Sequence, residues 1–431
     1  MKRVLVALLT GCLVFSMAGC GSGSKGDEKV ELTILTRLNE ESGEEKFLRE
    51  SLAQYAEENG IDITVDNVPV EEDYLNKLRT SFADGQTPNI FYDYGGSRTL
   101  DYLESDALVN FETYLDEDPE WKDTFMKSCW GDVDYTDEGY EGLWGLPAKS
   151  YVVSLYCNEE IFEENNLEYP ESFDDLLDVC EKLMEAGIQP FQCGAKDSYR
   201  LGHLHNNIVL KSLGADAADK LADRTLAYDS EEMIETYRVI DNMIKKGYLG
   251  KDLLDTDVNT EKSMYLAGET AMRWDGEWFI QPLKDAGDIY NKTKVVPFPY
   301  INEECKVYAQ GGNNDILFAS KLNKSDKEVE ETVKLAKFMT SQEYMRQNNE
   351  IASYLYPIKF TPTENTPENP LLEDVKELLA GYEETRTDLQ VYDKDTHMID
   401  TVRNALQGLA MGNSPEQVGK EIVERIEQYQ N

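Results

Sequence analysis

Positive charge and histidine are scarce in this sequence. Its 431 residues include 42 lysines and arginines against 84 aspartates and glutamates, with three histidines, and the formal net charge is −42. A protein that binds nucleic acid needs a basic surface, so this composition argues against a nucleic-acid partner. An acidic surface is otherwise typical of a soluble protein and defines no site by itself.

Short motifs of the common enzyme classes are absent as well. The sequence has no HExxH, no GxSxG, no Walker lysine loop and no GxGxxG placed after a predicted strand. A glycosidase needs only two carboxylates that face each other about 5 to 9.5 Å apart, and 84 acidic residues always supply such a pair by chance. We therefore expect no enzymatic activity and no cofactor, with a glycosidase as the weaker alternative.

Cysteine and histidine lack the spacing of a metal site. No CxxC pair occurs, and the cysteines beyond residue 20 are odd in number, so we interpret them as buried thiols, with one disulfide left open as an alternative. These are Cys129, Cys157, Cys180, Cys193 and Cys305. His203 and His205 would point to the same side of a strand, but the only other histidine is distant, and we expect no bound metal.

The N-terminus has the features of an export signal. Lys2 and Arg3 precede an uncharged, mostly apolar run over residues 4–19, which is short for a membrane span. Residues 1–19 are therefore predicted to be a signal peptide that is removed from the mature protein.

A cysteine follows this signal at once. Ala18 and Gly19 before Cys20 resemble a bacterial lipobox, with Met17 where leucine is commoner. The resemblance implies a lipid on Cys20 that anchors the mature protein to the outer face of the cell membrane. Residues 20–29 are small and polar and are predicted to form a flexible tether.

Strand and helix patterns alternate after the tether. VELTILTR, IDITVDNV and NIFYDY have the pattern of strands, and EEKFLRESLAQYAEE and EDYLNKLRTSFADG have the pattern of helices. The alternation predicts an open α/β sheet with parallel strands and right-handed crossovers. A chain of 431 residues is also too long for one core, so we expect roughly two such domains.

Polar loops follow the first and third predicted strands. They are TRLNEE at 36–41 and YDYGGSR at 92–98. Open α/β sheets bind ligands at the carboxyl ends of their strands, so these two loops are candidate parts of a binding site.

Capping patterns predict the starts of three later helices. The patterns are Ser172 with Asp175, Ser325 with Glu328, and Ser414 with Pro415 and Gln417.

Four segments of the chain, in this order, resemble the extracellular solute-binding proteins of ATP-driven sugar importers, the group that includes maltose-binding protein. They are FADGQTPNIFYDY at 82–94, GLWGLPAKSYVVSLYCNEEIFEENNLEYPESFDDLL at 142–177, MYLAGETAMRWDGEW at 264–278 and KLAKFMTSQEYM at 334–345. The resemblance covers nearly the whole mature chain. It implies a two-lobed, type II periplasmic-binding-protein-like α/β fold that closes on a sugar and delivers it to the permease of an ABC transporter.

The same resemblance implies where the lobes divide. Lobe one is expected to contain residues 28–147 plus 315–358, and lobe two residues 148–314 plus 359–431. The crossing segments between the lobes are expected near residues 148–152, 310–314 and 356–362.

The segment AMRWDGEWF, residues 271–279, provides the clearest candidate for a sugar platform. A pyranose has a C–H face that packs on an aromatic ring and a rim of hydroxyls that bind carboxylates and amides. Trp278, two residues after Gly276, matches the position at which the family stacks an aromatic side chain on its ligand. Trp274 and Asp275 are included as candidates by their proximity.

The strand-end loops are expected to provide the opposite wall. Candidate residues there are Asn39 and Glu40 from the first loop and Asp93 and Tyr94 from the third strand. Each of them has an alternative role as a helix or turn cap.

Further candidates lie at the expected crossings. They are Tyr151 in the first crossing and Asn313 in the second, where the resemblance places the floor of the cleft. Arg37 and Arg200 are candidates for binding an acidic sugar, or else they pair with surface carboxylates.

The partners implied are a carbohydrate, the permease subunits and, through Cys20, the membrane, for a protein expected to be monomeric. A surface sensor would use the same two-lobed clamp to signal to a receptor. The sequence leaves both roles open.

Overall fold

A computed structural model of the protein describes residues 29–40, 42–126, 129–358, 363, 366 and 368–429. The predicted signal peptide at 1–19, the predicted lipidation site Cys20 and all but the end of the tether lie outside the described residues. Within the described part of the chain, no helix is both long enough and apolar enough to cross a membrane.

The elements follow one another in a mixed α/β order. The strands are β1 (Glu31–Thr36), β2 (Asp62–Asn67), β3 (Ile90–Asp93), β4 (Asp134–Tyr135), β5 (Tyr140–Leu143), β6 (Leu146–Val152), β7 (Ser154–Asn158), β8 (Met272–Asp275), β9 (Thr293–Val296), β10 (Tyr308–Ala319) and β11 (Glu384–Arg386). The helices are α1 (Gly43–Asn59), α2 (Glu71–Ala83), α3 (Ser97–Glu104), α4 (Glu112–Glu117), α5 (Pro119–Lys122), α6 (Glu159–Glu164), α7 (Phe173–Glu185), α8 (Tyr199–Leu213), α9 (Ala217–Ala222), α10 (Glu231–Lys245), α11 (Val258–Leu266), α12 (Ile280–Ala286), α13 (Asp288–Asn291), α14 (Asp326–Met339), α15 (Gln342–Ala352), α16 (Pro370–Gly381), α17 (Met398–Met411) and α18 (Pro415–Tyr429). Short 3₁₀ turns occur at Glu277–Phe279 and Leu389–Tyr392, among others.

The first sheet contains the predicted parallel strands. Strand β1 pairs in parallel with both β2 and β3, and helices α1 and α2 make the two crossovers. Alternating burial along β1 places Leu32 and Ile34 in the core. The predicted β-α-β-α-β order is therefore confirmed, and it brings the carboxyl ends of β1 and β3 to one edge of the sheet.

A long antiparallel strand then links this sheet to the rest of the molecule. Residues Ile316–Ala319 of β10 pair with β3, whereas its residues Tyr308–Gln310 pair with β11. Strand β6 runs antiparallel along β10, with register shifts between Asn313 and Asp315 and between Asp315 and Ile316. These two paired strands cross from one lobe to the other.

The second sheet has three strands in the order β8-β7-β9. Both neighbours of β7 are antiparallel to it. Helices surround this sheet, and α8, α10, α17 and α18 pack against one another.

The apolar cores divide the chain in two. One core takes its buried residues from 30–148 and 316–358, and another takes them from 151–298 and 389–426. A smaller core beside the second sheet includes Val152, Tyr156 and Leu355. The lobe bounds at 147/148, 314/315 and 358/359 stay a proposal that these core memberships support.

The predicted caps and thiols are confirmed. Ser172 with Asp175 and Ser325 with Glu328 form capping boxes, and Ser414 exchanges hydrogen bonds with Gln417 before α18. All five cysteines predicted to be thiols are free and buried.

Candidate functional site

A cleft of about 360 Å³ lies between the lobes. Side chains from the strand-end loops of the first sheet line one wall, and side chains from β8, α8, α11 and α17 line the other. The crossing strands contribute Lys149, Tyr151 and Asn313.

Trp278 lies in this cleft, on the 3₁₀ turn that follows β8. Its indole folds back over Gly276, where a Cβ atom would stand 2.3 to 2.6 Å from three ring carbons. The glycine is therefore needed because the ring occupies the space of a side chain. The ring centroid lies 5.7 Å from that of Tyr151 and 6.3 Å from that of His203.

Asp275 fixes this indole. Its Oδ1 accepts hydrogen bonds from Trp278 Nε1 at 2.6 Å and from the Gly276 amide at 3.0 Å, and its Oδ2 accepts from Arg273 Nε at 2.7 Å. Burial raises the pKa of the carboxyl, but Arg273 and Arg200 bring it below its usual value, so Asp275 is ionised. Asp275 lines the cleft, but its carboxylate oxygens already accept three hydrogen bonds from protein groups.

Trp274 does not lie in the cleft. Only 1% of its surface is exposed, and its ring packs 5.3 Å from that of Phe191 in the core of lobe two. Successive residues of a strand point to opposite faces, so Trp274 and Asp275 of β8 cannot both face the ligand. The structure therefore places Trp274 outside the cleft, apart from Trp278 and Asp275.

Of the strand-end candidates in lobe one, some line the cleft and others do not. Tyr94 and Asn39 line the cleft, and the guanidinium of Arg37 lies 4.5 Å from the centre of the Tyr94 ring. Asp93 is 1% exposed and accepts hydrogen bonds from the Tyr102 hydroxyl and the Tyr94 amide, both at 2.8 Å. Asp93 therefore acts as a structural acceptor and does not line the cleft.

Glu40 is also misplaced by the sequence prediction. It is exposed and lies outside the residues that line the cleft. The loop after β1 thus presents the side chain of Asn39, but not that of its neighbour, to the site.

The two crossing candidates, Tyr151 and Asn313, both line the cleft. Asn313 is 3% exposed, and its Nδ2 donates to the Cys129 carbonyl at 2.9 Å and to Asp132 Oδ2 at 2.8 Å. Asn313 therefore braces the crossing strand against the wall of lobe one.

The two candidate arginines are paired within the protein. Arg37 in the cleft forms an ion pair with Asp315 of β10. Arg200 is fully buried, and its guanidinium donates to both oxygens of Glu261, at 2.6 and 2.9 Å. Its partners are buried carboxylates, not the surface carboxylates expected.

Other cleft residues were missed by the sequence analysis, among them His203, Asp388 and Arg403. Asp388 accepts from Arg403 Nη2 at 2.6 Å. Burial lowers the pKa of His203 to about 4 although Asp388 raises it, so the imidazole is neutral at neutral pH. For His203 on α8 and Arg403 on α17, the available signal was a largely buried helix that carries single polar residues.

The histidine pair does not form a metal site of the kind considered. His203 and His205 lie on helix α8, where residues two apart point in different directions. His205 Nε2 lies 3.0 Å from the hydroxyl of Thr236 within lobe two. The strand geometry assumed for this pair is therefore wrong.

The lobes touch beside the cleft. Gly96 of lobe one has φ 65°, and a Cβ there would lie 2.6 Å from both Cβ and the carbonyl oxygen of Val391 in lobe two. This close approach needs a glycine. It bounds the cleft on the side where α3 meets the turn Leu389–Tyr392.

The chain belongs to the bacterial extracellular solute-binding proteins, whose sequence profile matches residues 40–346. It is 20% identical over 388 residues to the multiple sugar-binding protein of Streptococcus mutans serotype c, an alignment that covers 86% of each chain. It is 24% identical over 315 residues to the maltotriose-binding protein of Pyrococcus abyssi, with 72% of this chain and 61% of that one covered.

A solved structure from work on xylan utilization by Caldanaerobius polysaccharolyticus has the same fold. It superposes with a TM-score of 0.81 at 20% identity, and the match covers 92% of this chain and 100% of the other. The predicted two-lobed, type II α/β fold is thereby confirmed. Membership of an extracellular solute-binding family also places the protein outside the cytoplasm.

Proposed function

We propose that the protein captures a sugar or oligosaccharide between its lobes and delivers it to the permease subunits of an ABC transporter. The observation that carries the proposal is the indole of Trp278, held by Asp275 in a cleft with polar groups on both walls. An aromatic face beside hydrogen-bonding groups suits the C–H face and hydroxyl rim of a pyranose. The relatives named for multiple sugars and for maltotriose support this ligand class.

The size of the stacking contribution sets the expected effect. If a sugar covers about a third of the ~200 Å² side chain of Trp278, about 65 Å² is buried. At ~25 cal/mol per Å², this area contributes roughly 1.5 kcal/mol, or about tenfold in affinity. Hydrogen bonds must provide the rest of the affinity.

The available hydrogen-bonding groups are divided between the walls. Asn39 and Tyr94 stand on lobe one, and Tyr151 and His203 stand on the side of lobe two. A sugar touches both sets only when the lobes are closed, so binding shifts the population toward the closed form. The paired crossing strands β6 and β10 would act as the hinge about which the lobes rotate as they close.

Calorimetric titration with a panel of mono- and oligosaccharides tests the proposal. We expect heat and a thermal shift with at least one sugar, and roughly tenfold weaker binding of that sugar by Trp278→Ala. Trp144→Ala is the matched control, because Trp144 is a partly buried tryptophan outside the cleft. A silent panel would reject the sugar as ligand, and an unchanged affinity in Trp278→Ala would reject the platform.

We also infer a lipid anchor at Cys20, a monomeric state and the absence of catalysis. The lipobox-like residues before Cys20 support the anchor, and Cys20→Ser should release the protein into the medium. Incubation with the bound sugar should return that sugar unchanged. Appearance of a product would favour the glycosidase alternative.

A further inference from the structure

Charged side chains line both walls of the cleft, and most of the cations have a protein carboxylate as partner. Arg37, Lys149, Arg273 and Arg403 each form an ion pair with an aspartate or glutamate. Across the residues that the structure describes, Lys262 is the cleft-lining cation that forms no such pair.

The position of Lys262 directs it toward the ligand space. Val258 and Lys262 are one turn apart on helix α11, so they project from the same face, and both line the cleft. Lys262 is partly buried, in the same wall as Trp278. Burial, followed by the nearby Arg273, lowers the pKa of its ammonium group, and the carboxylate of Asp275 opposes this shift.

A carboxylate that forms no ion pair within the part of the chain that the structure describes also lines the cleft, but in a different environment. Glu71 stands at the start of α2 on the wall of lobe one, and it is exposed to solvent. An exposed carboxylate keeps its water and needs no partner, whereas a partly buried ammonium group has lost part of its hydration. Because of this difference in hydration, a ligand of opposite charge would stabilise Lys262 more than it would stabilise Glu71.

We propose that the sugar taken by this cleft carries a carboxylate, as a uronic acid or an acidic oligosaccharide does, and that Lys262 binds it. The inference rests on the proposed sugar-binding function. A carboxylate forms a charge-assisted hydrogen bond with an ammonium group, and the bond is strong where water is partly excluded. The net charge of −42 does not prevent this, because charges farther than a Debye length of about 8 Å are screened at physiological ionic strength.

Matched pairs of neutral and acidic sugars test this inference by calorimetry. Suitable probes are glucose with glucuronate, galactose with galacturonate, and a neutral disaccharide with its aldobiouronic counterpart. The parent protein should bind the acidic member of at least one pair about ten- to a hundredfold more tightly. Lys262→Met should remove this preference, and Lys262→Arg should retain much of it.

Lys420→Met is the control for loss of one positive charge, because Lys420 is exposed on α18 and lies outside the cleft lining. It should keep the full preference. Equal or tighter binding of the neutral members by the parent protein would overturn the inference while leaving sugar binding intact. An acidic preference that survives Lys262→Met would overturn the role of Lys262, and no binding by either series would instead reject the proposed function.

Discussion

Two tryptophans four residues apart, Trp274 and Trp278, occupy opposite environments. Trp274 lies on β8 and is buried to 1% exposure, whereas Trp278 follows a glycine on a 3₁₀ turn and lines the cleft. The residues between them connect the two environments, since Asp275 binds the indole of Trp278 and Glu277 is buried at the crossing strand. Residue type therefore did not decide which indole lines the cleft. The end of strand β8 and the glycine that follows it determine which indole lies in the cleft.

Trp274→Ala should separate the two roles most strongly. Removing a fully buried tryptophan leaves a cavity in the core of lobe two, and we expect the free energy of unfolding to fall by about 3–5 kcal/mol. Guanidinium denaturation measures this loss. The affinity of the folded protein for its sugar should change less than about twofold, because Trp274 lies outside the cleft.

The partly buried Trp144 provides the comparison for this variant. Trp144→Ala removes the same atoms from a site that is less enclosed, and its cost should be smaller. A loss of sugar affinity in Trp274→Ala as large as that in Trp278→Ala would contradict the division between the two tryptophans.

The buried carboxyl of Glu277 should make the stability of the protein depend on pH. It is fully buried, its Oε2 lies 3.4 Å from the Val152 amide, and in the described part of the chain its Oε1 has no hydrogen-bond partner. Burial raises the pKa of this carboxyl from 4.5 to about 8, and nearby Asp275 adds to the effect while Lys149 opposes it. The folded state thus holds a proton that the unfolded chain has released.

The contribution of Glu277 to stability should therefore fall as pH rises. The contribution of Glu277 is fully present below about pH 4.5 and is lost as pH rises to about 8. Its slope is at most one proton, or about 1.4 kcal/mol per pH unit. In urea denaturation between pH 5 and 8, the stability of the parent protein relative to that of Glu277→Gln should decrease as pH rises. Parallel pH profiles for the two proteins would refute the assignment.

Local signals in the sequence predicted much of the fold. The β1-α1-β2-α2-β3 order and the capping boxes at Ser172 and Ser325 depend on residues that are neighbours in the chain, and the structure has them as predicted. The ion pair of Arg37 with Asp315 joins residues 278 positions apart. No local sequence pattern predicts such a contact, because the residues come together only when strand β10 joins the sheet.

The site was predicted less completely for two physical reasons. Proximity to Trp278 makes Trp274 a candidate, but alternation along a strand places its side chain opposite that of Asp275. His203 and Arg403 were missed because they project into the cleft from helices α8 and α17, which are largely buried. Helical spacing marks the buried face of such helices, but it does not show where that face opens onto a cavity.

Gly276→Ala should produce the smallest effect on stability and the most specific effect on the site. Gly276 has φ −82° and ψ 175°, which alanine adopts without strain, so the backbone has no reason to change. The added methyl group would stand 2.3 Å from the nearest indole carbon of Trp278, and the ring must move and weaken its hydrogen bond to Asp275. We expect the free energy of unfolding to fall by about 1 kcal/mol and sugar affinity to fall several-fold.

Tryptophan fluorescence and calorimetry of Gly276→Ala check this expectation. Gly381→Ala is the matched control, because Gly381 ends helix α16 and a methyl group added there would meet open space. The control should leave sugar affinity unchanged. If Gly276→Ala bound its sugar as tightly as the parent protein did, the position of the indole over the glycine would not matter for binding. The difference between Trp274 and Trp278 would then reflect burial alone.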